Sequence, residues 1–196
     1  NKLYIGSLGT LGIIVEANFK LQPLPVAERT LLLTYVNAIE AMQTVTAMLS
    51  SLLTPSAIEL LDSGAASDMN DFFGMNLPRN GYTLAINFEG SRVTIERQVN
   101  ETRLLARKHG ALMGDDLTGE DQDHLWKAVR EHMQGTVTCK VSILVSHVTT
   151  YLQQVEQVCR HHHLEAAIVA HAGNGILYVE LRPSDATPRL VAAITE

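Results

Sequence analysis

Residues 30–61, TLLLTYVNAIEAMQTVTAMLSSLLTPSAIELL, decide the fold, because they spell one complete strand–helix–strand unit. TLLLTYV (30–36) is an apolar run of strand length, and Asn37 followed by Glu40 is the pattern of a helix N-cap with a return carboxylate. Ala38, Met42, Val45, Leu49 and Leu52 recur at helical spacing, which places them on one stripe facing a sheet. Thr54 and Pro55 end that helix, and SAIELL (56–61) returns as a strand.

The alternation continues toward the C-terminus. YTLAINFEG (82–90) reads as a strand. Residues 92–109 read as a helix with Ile95, Val99, Thr102 and Ala106 on one face and Gly110 at its C′ position. ALMGDDL (111–117) is a short strand and turn. Between them, DSGAASDMNDFFGMNLPRNG (62–81) is rich in Gly, Asn, Asp and Ser and reads as a long loop holding at most a short helical turn, of the kind used as a lid or binding loop. A helix from about 119 to 133 carries Glu120 and Asp121 in its first turn, where they favour the helix dipole. TVTCKVSILV (136–145) is a β-branched strand, and 147–162 is a helix with Val148, Tyr151, Leu152, Val155, Val158 and Cys159 on its stripe. AAIVAHA (166–172) and GILYVEL (175–181) form a hairpin, and 186–195 read as a last helix. Strand–helix–strand units joined by short connections predict an α+β fold, an antiparallel sheet with helices packed on one face, built from two fused ferredoxin-like units.

Composition excludes several function classes. The 196 residues are 46% hydrophobic with mean hydropathy +0.07, enough for a packed core, and no apolar run reaches the roughly 18 residues of a membrane span. A net charge of −6 and a pI near 5.7 argue against nucleic acid or an anionic membrane as partner. Cys139 and Cys159 form no CxxC pair, which argues against a zinc or iron–sulfur site and suits the reduced thiols of a cytoplasmic protein. His161, His162 and His163 are consecutive helical residues about 100° apart, so they do not converge on one ion.

At the other end, YIGSLGTLGIIVEANFKLQPLP (4–25) gathers Gly6, Gly9 and Gly12 with Ser7 and Thr10, and residues 1–22 read as a strand, a glycine loop and a second strand. The loop is either a turn or a place where backbone approaches a phosphate or sugar. Pro23 and Pro25 stiffen the exit and mark a boundary between residues 1–25 and 26–196.

Gly6–Glu16, together with SAIELLDSGAA (56–66), DHLWKAVRE (123–131) and AHAGNGILYVEL (170–181), resembles the C-terminal portion of FAD-linked oxidases of the vanillyl-alcohol-oxidase type. The likeness is greatest to the branch of glycolate oxidase FAD-binding subunits and D-lactate dehydrogenases, which carry a G-S-x-G-T-L-G-I-I-x-E segment before a Pro-rich exit. The resemblance implies that residues 1–25 are the tail of a truncated FAD-binding domain and 26–196 a substrate-side cap domain. It implies that Gly6, Ser7, Gly9, Thr10, Gly12 and Ile13 lie against FAD in the intact protein. It also implies oxidation of a small 2-hydroxy acid, with electrons passed from flavin to an iron–sulfur subunit. A cap of this type has to supply cations for the carboxylate and a base or polar group for the hydroxyl.

His171 matches the first histidine of the family's H-x-G-D-G-N-x-H motif, which offers two histidines to a divalent metal or to substrate. Here Asn174 replaces the acid, Ile176 the asparagine and Tyr178 the second histidine, so no metal is expected, and His171 and Asn174 are candidates for substrate. Lys140 lies on the strand that resembles the substrate-facing one, with Leu144 where the family usually has proline. Lys140 and His171 are the candidate catalytic residues, and Arg130, in an LW-x-x-R-like helix, is a further substrate candidate. Trp126 reads as packing, and Glu59 is carried by the matching E-L-L-D strand. The alternatives are a D-lactate dehydrogenase-type flavoenzyme and a stand-alone ferredoxin-like ligand-binding or regulatory module. The opening glycine segment argues against the module.

Overall fold

The computed structural model describes residues 3–21, 23–132 and 137–182. Its centre is one antiparallel sheet of seven strands: β1 (Ala27–Tyr35), β2 (Ala57–Leu61), β3 (Tyr82–Gly90), β4 (Met113–Leu117), β5 (Val137–Ser142), β6 (Glu165–His171) and β7 (Ile176–Arg182). The strand order is β4-β1-β3-β2-β6-β7-β5. The first four strands have the order of a complete ferredoxin-like unit, and β5, β6 and β7 supply three strands of a second, so the fused arrangement is observed. β2 and β6 join the halves through three residue pairs, Glu59 to His171, Leu60 to Ala170 and Leu61 to Val169. The helix expected at 186–195 lies outside the described residues.

Alternation along each strand sorts the side chains onto two faces. Leu31, Leu33, Leu60, Leu84, Ile86, Phe88, Ile168 and Val179 meet α1 (Ala38–Leu49), α3 (Arg92–Lys108) and α5 (Val148–His162) in the larger core. The N-cap reading holds, since the Asn37 side chain accepts from the Glu40 amide. The helix it starts is shorter than expected. It stops at Leu49, and Leu49 and Leu52 are exposed rather than on the buried stripe. Tyr35, buried at the end of β1, donates its hydroxyl to Thr44 of α1 at 2.9 Å and ties helix to sheet.

The opposite face is also covered, by α2 (Ser63–Phe73) and α4 (Glu120–Glu131), which meet Leu61, Ala85, Ala167 and Val169 in a smaller core. Three helices pack on one face as expected, and the loop expected at 62–81 contains an eleven-residue helix on the other. Its end signals are local and polar. Asp62 caps it by accepting from the Ala65 amide at 2.8 Å, and Gly74 ends it at φ +65. The same Asp62 oxygen accepts from the Ile168 amide at 2.9 Å, stapling α2 to β6. Burial pushes the Asp62 carboxyl up to about 6 against the pull of these backbone donors.

Neither strand expected within residues 1–22 forms among the described residues. Residues 3–10 turn, and 11–21 run without a sheet partner. Ile13, Val15, Phe19 and Leu21 are more than four-fifths exposed because none of the described residues packs on them. Among the described residues no helix is long and apolar enough to cross a membrane.

Candidate functional site

Four side chains form a polar strip on the face that α2 and α4 cover only in part. In one cross-strand row, Ser142, Ile176, His171 and Glu59 stand side by side on β5, β7, β6 and β2. In the next row on the same face, Lys140 faces Tyr178, which faces Val169. Diagonal neighbours across adjacent strands are within reach of aromatic and long side chains. Accordingly the His171 ring meets the Tyr178 ring edge-on with centroids 5.4 Å apart, and Lys140 Nζ lies 5.6 Å from the Tyr178 centroid. Tyr178 therefore lies between the two side chains named from sequence.

Glu59 closes the strip. Its Oε1 lies 2.6 Å from His171 Nδ1, with Glu59 7% and His171 35% exposed at the side chain. Glu59 Oε2 is buried without a hydrogen-bond partner among the described residues. Burial raises the Glu59 carboxyl from 4.5 to about 7, and His171 opposes that shift by charge and hydrogen bond. The folded chain thus holds this proton more tightly than the unfolded chain, so the stability contribution is present below about pH 4.5 and is lost as pH rises through about 7. Glu59→Leu removes that loss. The urea midpoint of the variant is expected to gain on that of the unsubstituted chain between about pH 4 and pH 8, and an unchanged difference would contradict this assignment.

The hairpin turn beside His171 is held closed. Gly175 has φ +75, a Cβ there would lie 2.0 Å from the Ile143 carbonyl oxygen, and the Ile143 amide donates to Gly175 at 2.9 Å. Asn174 is exposed in this turn and its Oδ1 accepts from the Ile176 amide at 3.2 Å. Arg130 is on the exposed side of α4, and among the described residues no hydrogen bond or ion pair joins it to His171, Lys140 or Asn174.

A buried ionic cluster borders the strip on β7. Arg182 pairs with both oxygens of Asp68 on α2 and with Glu180 at 3.1 Å. These carboxylates hold the guanidinium charged, Asp68 first. His132 is buried nearby, bonded through Nδ1 to the Val129 carbonyl, and burial pushes its imidazole below the usual value. On the same face Trp126 Nε1 donates to Thr30 at 2.8 Å and Thr30 donates to Asn87, so the tryptophan packs and anchors α4. Among the described residues no group of three or more His, Cys, Asp or Glu is placed to hold a metal.

The glycine loop has the backbone such a cofactor contact needs. Gly6 and Gly9 have φ of +85 and +80, with nothing within 4 Å of a Cβ built on either, so a ligand can approach the main chain closely. Ser7 and Thr10 are turned inward, their hydroxyls donating to the Tyr4 and Ser7 carbonyls.

The family model described as FAD linked oxidases, C-terminal domain, matches residues 24–191. The chain belongs to this family. FAD is the family's cofactor, and most of its binding region lies outside this C-terminal part. The chain is 26% identical over 208 residues to glycolate oxidase subunit GlcD of Bacillus subtilis (strain 168), covering 100% of this chain and 44% of that protein. It is 26% identical over 186 residues to the mitochondrial D-lactate dehydrogenase [cytochrome] of Arabidopsis thaliana, covering 89% and 32%. The chain thus spans less than half the length of these relatives. In fold it is similar to alkyldihydroxyacetonephosphate synthase, with TM-score 0.68, 17% identity and coverage of 97% and 41%. It is also similar to p-cresol methylhydroxylase, with TM-score 0.61, 12% identity and coverage of 90% and 44%.

Sequence reasoning named His171 and Lys140 as candidates, left Glu59 without a role and read Tyr178 only as a missing histidine. A signal for Glu59 was present. One acidic residue inside the apolar strand AIELL faces a buried layer and needs a partner there.

Proposed function

We propose that this chain is the cap, residues 26–196, with the flavin-domain tail, residues 1–25, of an FAD-dependent oxidoreductase. Its substrate is a small 2-hydroxy acid of the glycolate type. The observation that carries the reading is the strip in which a histidine bonded to a buried carboxylate and an exposed lysine flank one tyrosine. Lys140 pairs with the substrate carboxylate, and His171 takes the hydroxyl proton. Asn174, exposed in the turn that follows His171, and Arg130 would be further contacts for the substrate. FAD, when bound, accepts the hydrogen and electron pair that leave the carbinol carbon. Gly6, Ser7, Gly9, Thr10, Gly12 and Ile13 would touch it, chiefly through the open glycine backbone.

In this reading electrons then pass to a separate iron–sulfur subunit; Cys139 and Cys159 are free thiols on β5 and α5. A cytoplasmic location agrees with those free thiols. The D-lactate relatives support a second substrate of the same class.

The test is anaerobic addition of glycolate or D-lactate to the flavin-loaded parent protein while flavin absorbance is followed. Faster bleaching by glycolate is expected. Faster bleaching by D-lactate favours the second substrate, and no bleaching by either overturns the reading.

A further inference from the structure

We propose that Glu59 is the positioning residue of this site: its carboxylate holds the His171 imidazole with the proton on Nδ1, leaving Nε2 bare to take the hydroxyl proton of the substrate. The inference deepens the reading above and rests on a hydroxy acid binding at His171.

Three observations converge on it. The 2.6 Å separation between Glu59 Oε1 and His171 Nδ1 is at the short end for a charge-assisted hydrogen bond. Among the described residues the second carboxylate oxygen is buried without a partner, and the imidazole N–H is the one hydrogen bond that compensates the charge of a 7% exposed side chain. Tyr178 meets the ring edge-on, which restricts its plane. Glu59 is followed by Leu60 and Leu61 and paired with Ala85 on β3, so the strand itself has no need of an acid at this position. A locally unfavourable residue in a packed layer is the kind of exception that functional sites retain.

The chemistry follows from the tautomer. The substrate hydroxyl proton passes to Nε2, while the carbinol hydrogen leaves with its electron pair toward the flavin and the carbon–oxygen bond becomes double. The imidazolium formed is paired at Nδ1 with the Glu59 carboxylate, which favours the charged product of the transfer. Because the carboxylate acts through the ring, its loss is expected in kcat rather than in KM.

The experiment reads the ring nitrogens of His171 by 15N NMR on the whole 196-residue chain at pH 8. The expected pattern is a protonated Nδ1 and a bare Nε2. In Glu59→Leu, the pattern moves toward Nε2–H, the form that free histidine favours. Glu59→Gln keeps shape and an acceptor oxygen but not the charge. In the flavin-loaded parent it is expected to lower kcat about 10–100-fold with KM little changed. A protonated Nε2 in the unsubstituted chain overturns the proposal, as does the same nitrogen pattern with and without Glu59. A holoenzyme that no 2-hydroxy acid reduces overturns the substrate reading instead, and it leaves the nitrogen pattern, which alone decides the role of Glu59, untouched.

Discussion

Arg182→Met destabilises the chain by about 3–5 kcal/mol, because it leaves two buried carboxylates without their cation. Asp68 and Glu180 are 5% and 3% exposed at the side chain, and both pair with this one guanidinium. Among the described residues Glu180 Oε2 and His132 Nε2 are already buried without hydrogen-bond partners, so the carboxylates rely on the guanidinium for their pairing. The neutral imidazole that burial favours at His132 does not restore the charge balance. Urea unfolding measures the loss. Replacing all three ionic members with apolar residues of similar volume is expected to recover most of it, since the pairing then no longer has to offset desolvation. Recovery by the triple variant with loss in the single one separates charge pairing from mere packing.

His171→Ala in the flavin-loaded parent lowers kcat/KM for the 2-hydroxy acid by about 10²–10⁴, the range expected for a positioned base. Lys140→Met acts on binding. A lost charge-assisted contact of about 1.5–3 kcal/mol corresponds to roughly a tenfold to hundredfold rise in KM. Stopped-flow flavin reduction separates the two, and flavin content measured beside it shows that neither variant loses cofactor. The substitutions are expected to leave the fold intact. Lys140 is exposed on an edge strand, and His171 sits at the end of β6 with a third of its side chain in solvent. Unchanged kinetics in both would remove the strip from the active site.

The fold was legible where burial and periodicity coincide. β3 spans 82–90 as read, and Ile95, Val99, Thr102 and Ala106 all lie on the buried face of α3. Legibility failed where small or polar residues make the structure. α2 buries Ala65, Ala66, Asp68 and Met69, a set too short of bulk to look like a stripe, and its ends depend on Asp62 and Gly74, which composition alone assigns to a loop. It failed differently in residues 11–21, whose apolar alternation looks like a strand but joins no ladder among the described residues. At the site, the family resemblance named both candidates, His171 through a motif and Lys140 through a strand. Pairing across β2 and β6 was needed to bring Glu59 to the imidazole, since 112 positions separate the two residues.

That short seam ties chemistry to assembly. The acid comes from the first ferredoxin-like half and the imidazole from the second, so neither half alone contains the pair. Three ladder pairs set the register between them, extended at the two ends by hydrogen bonds between Ile58 and Ala172 and between Asp62 and Ile168. A slip of one residue would turn His171 to the opposite face, leaving each half folded and the pair gone. Two polypeptides cut between the halves would regain the pair only by docking edge to edge. The Glu59–His171 pair is therefore a property of the sheet that the two halves share.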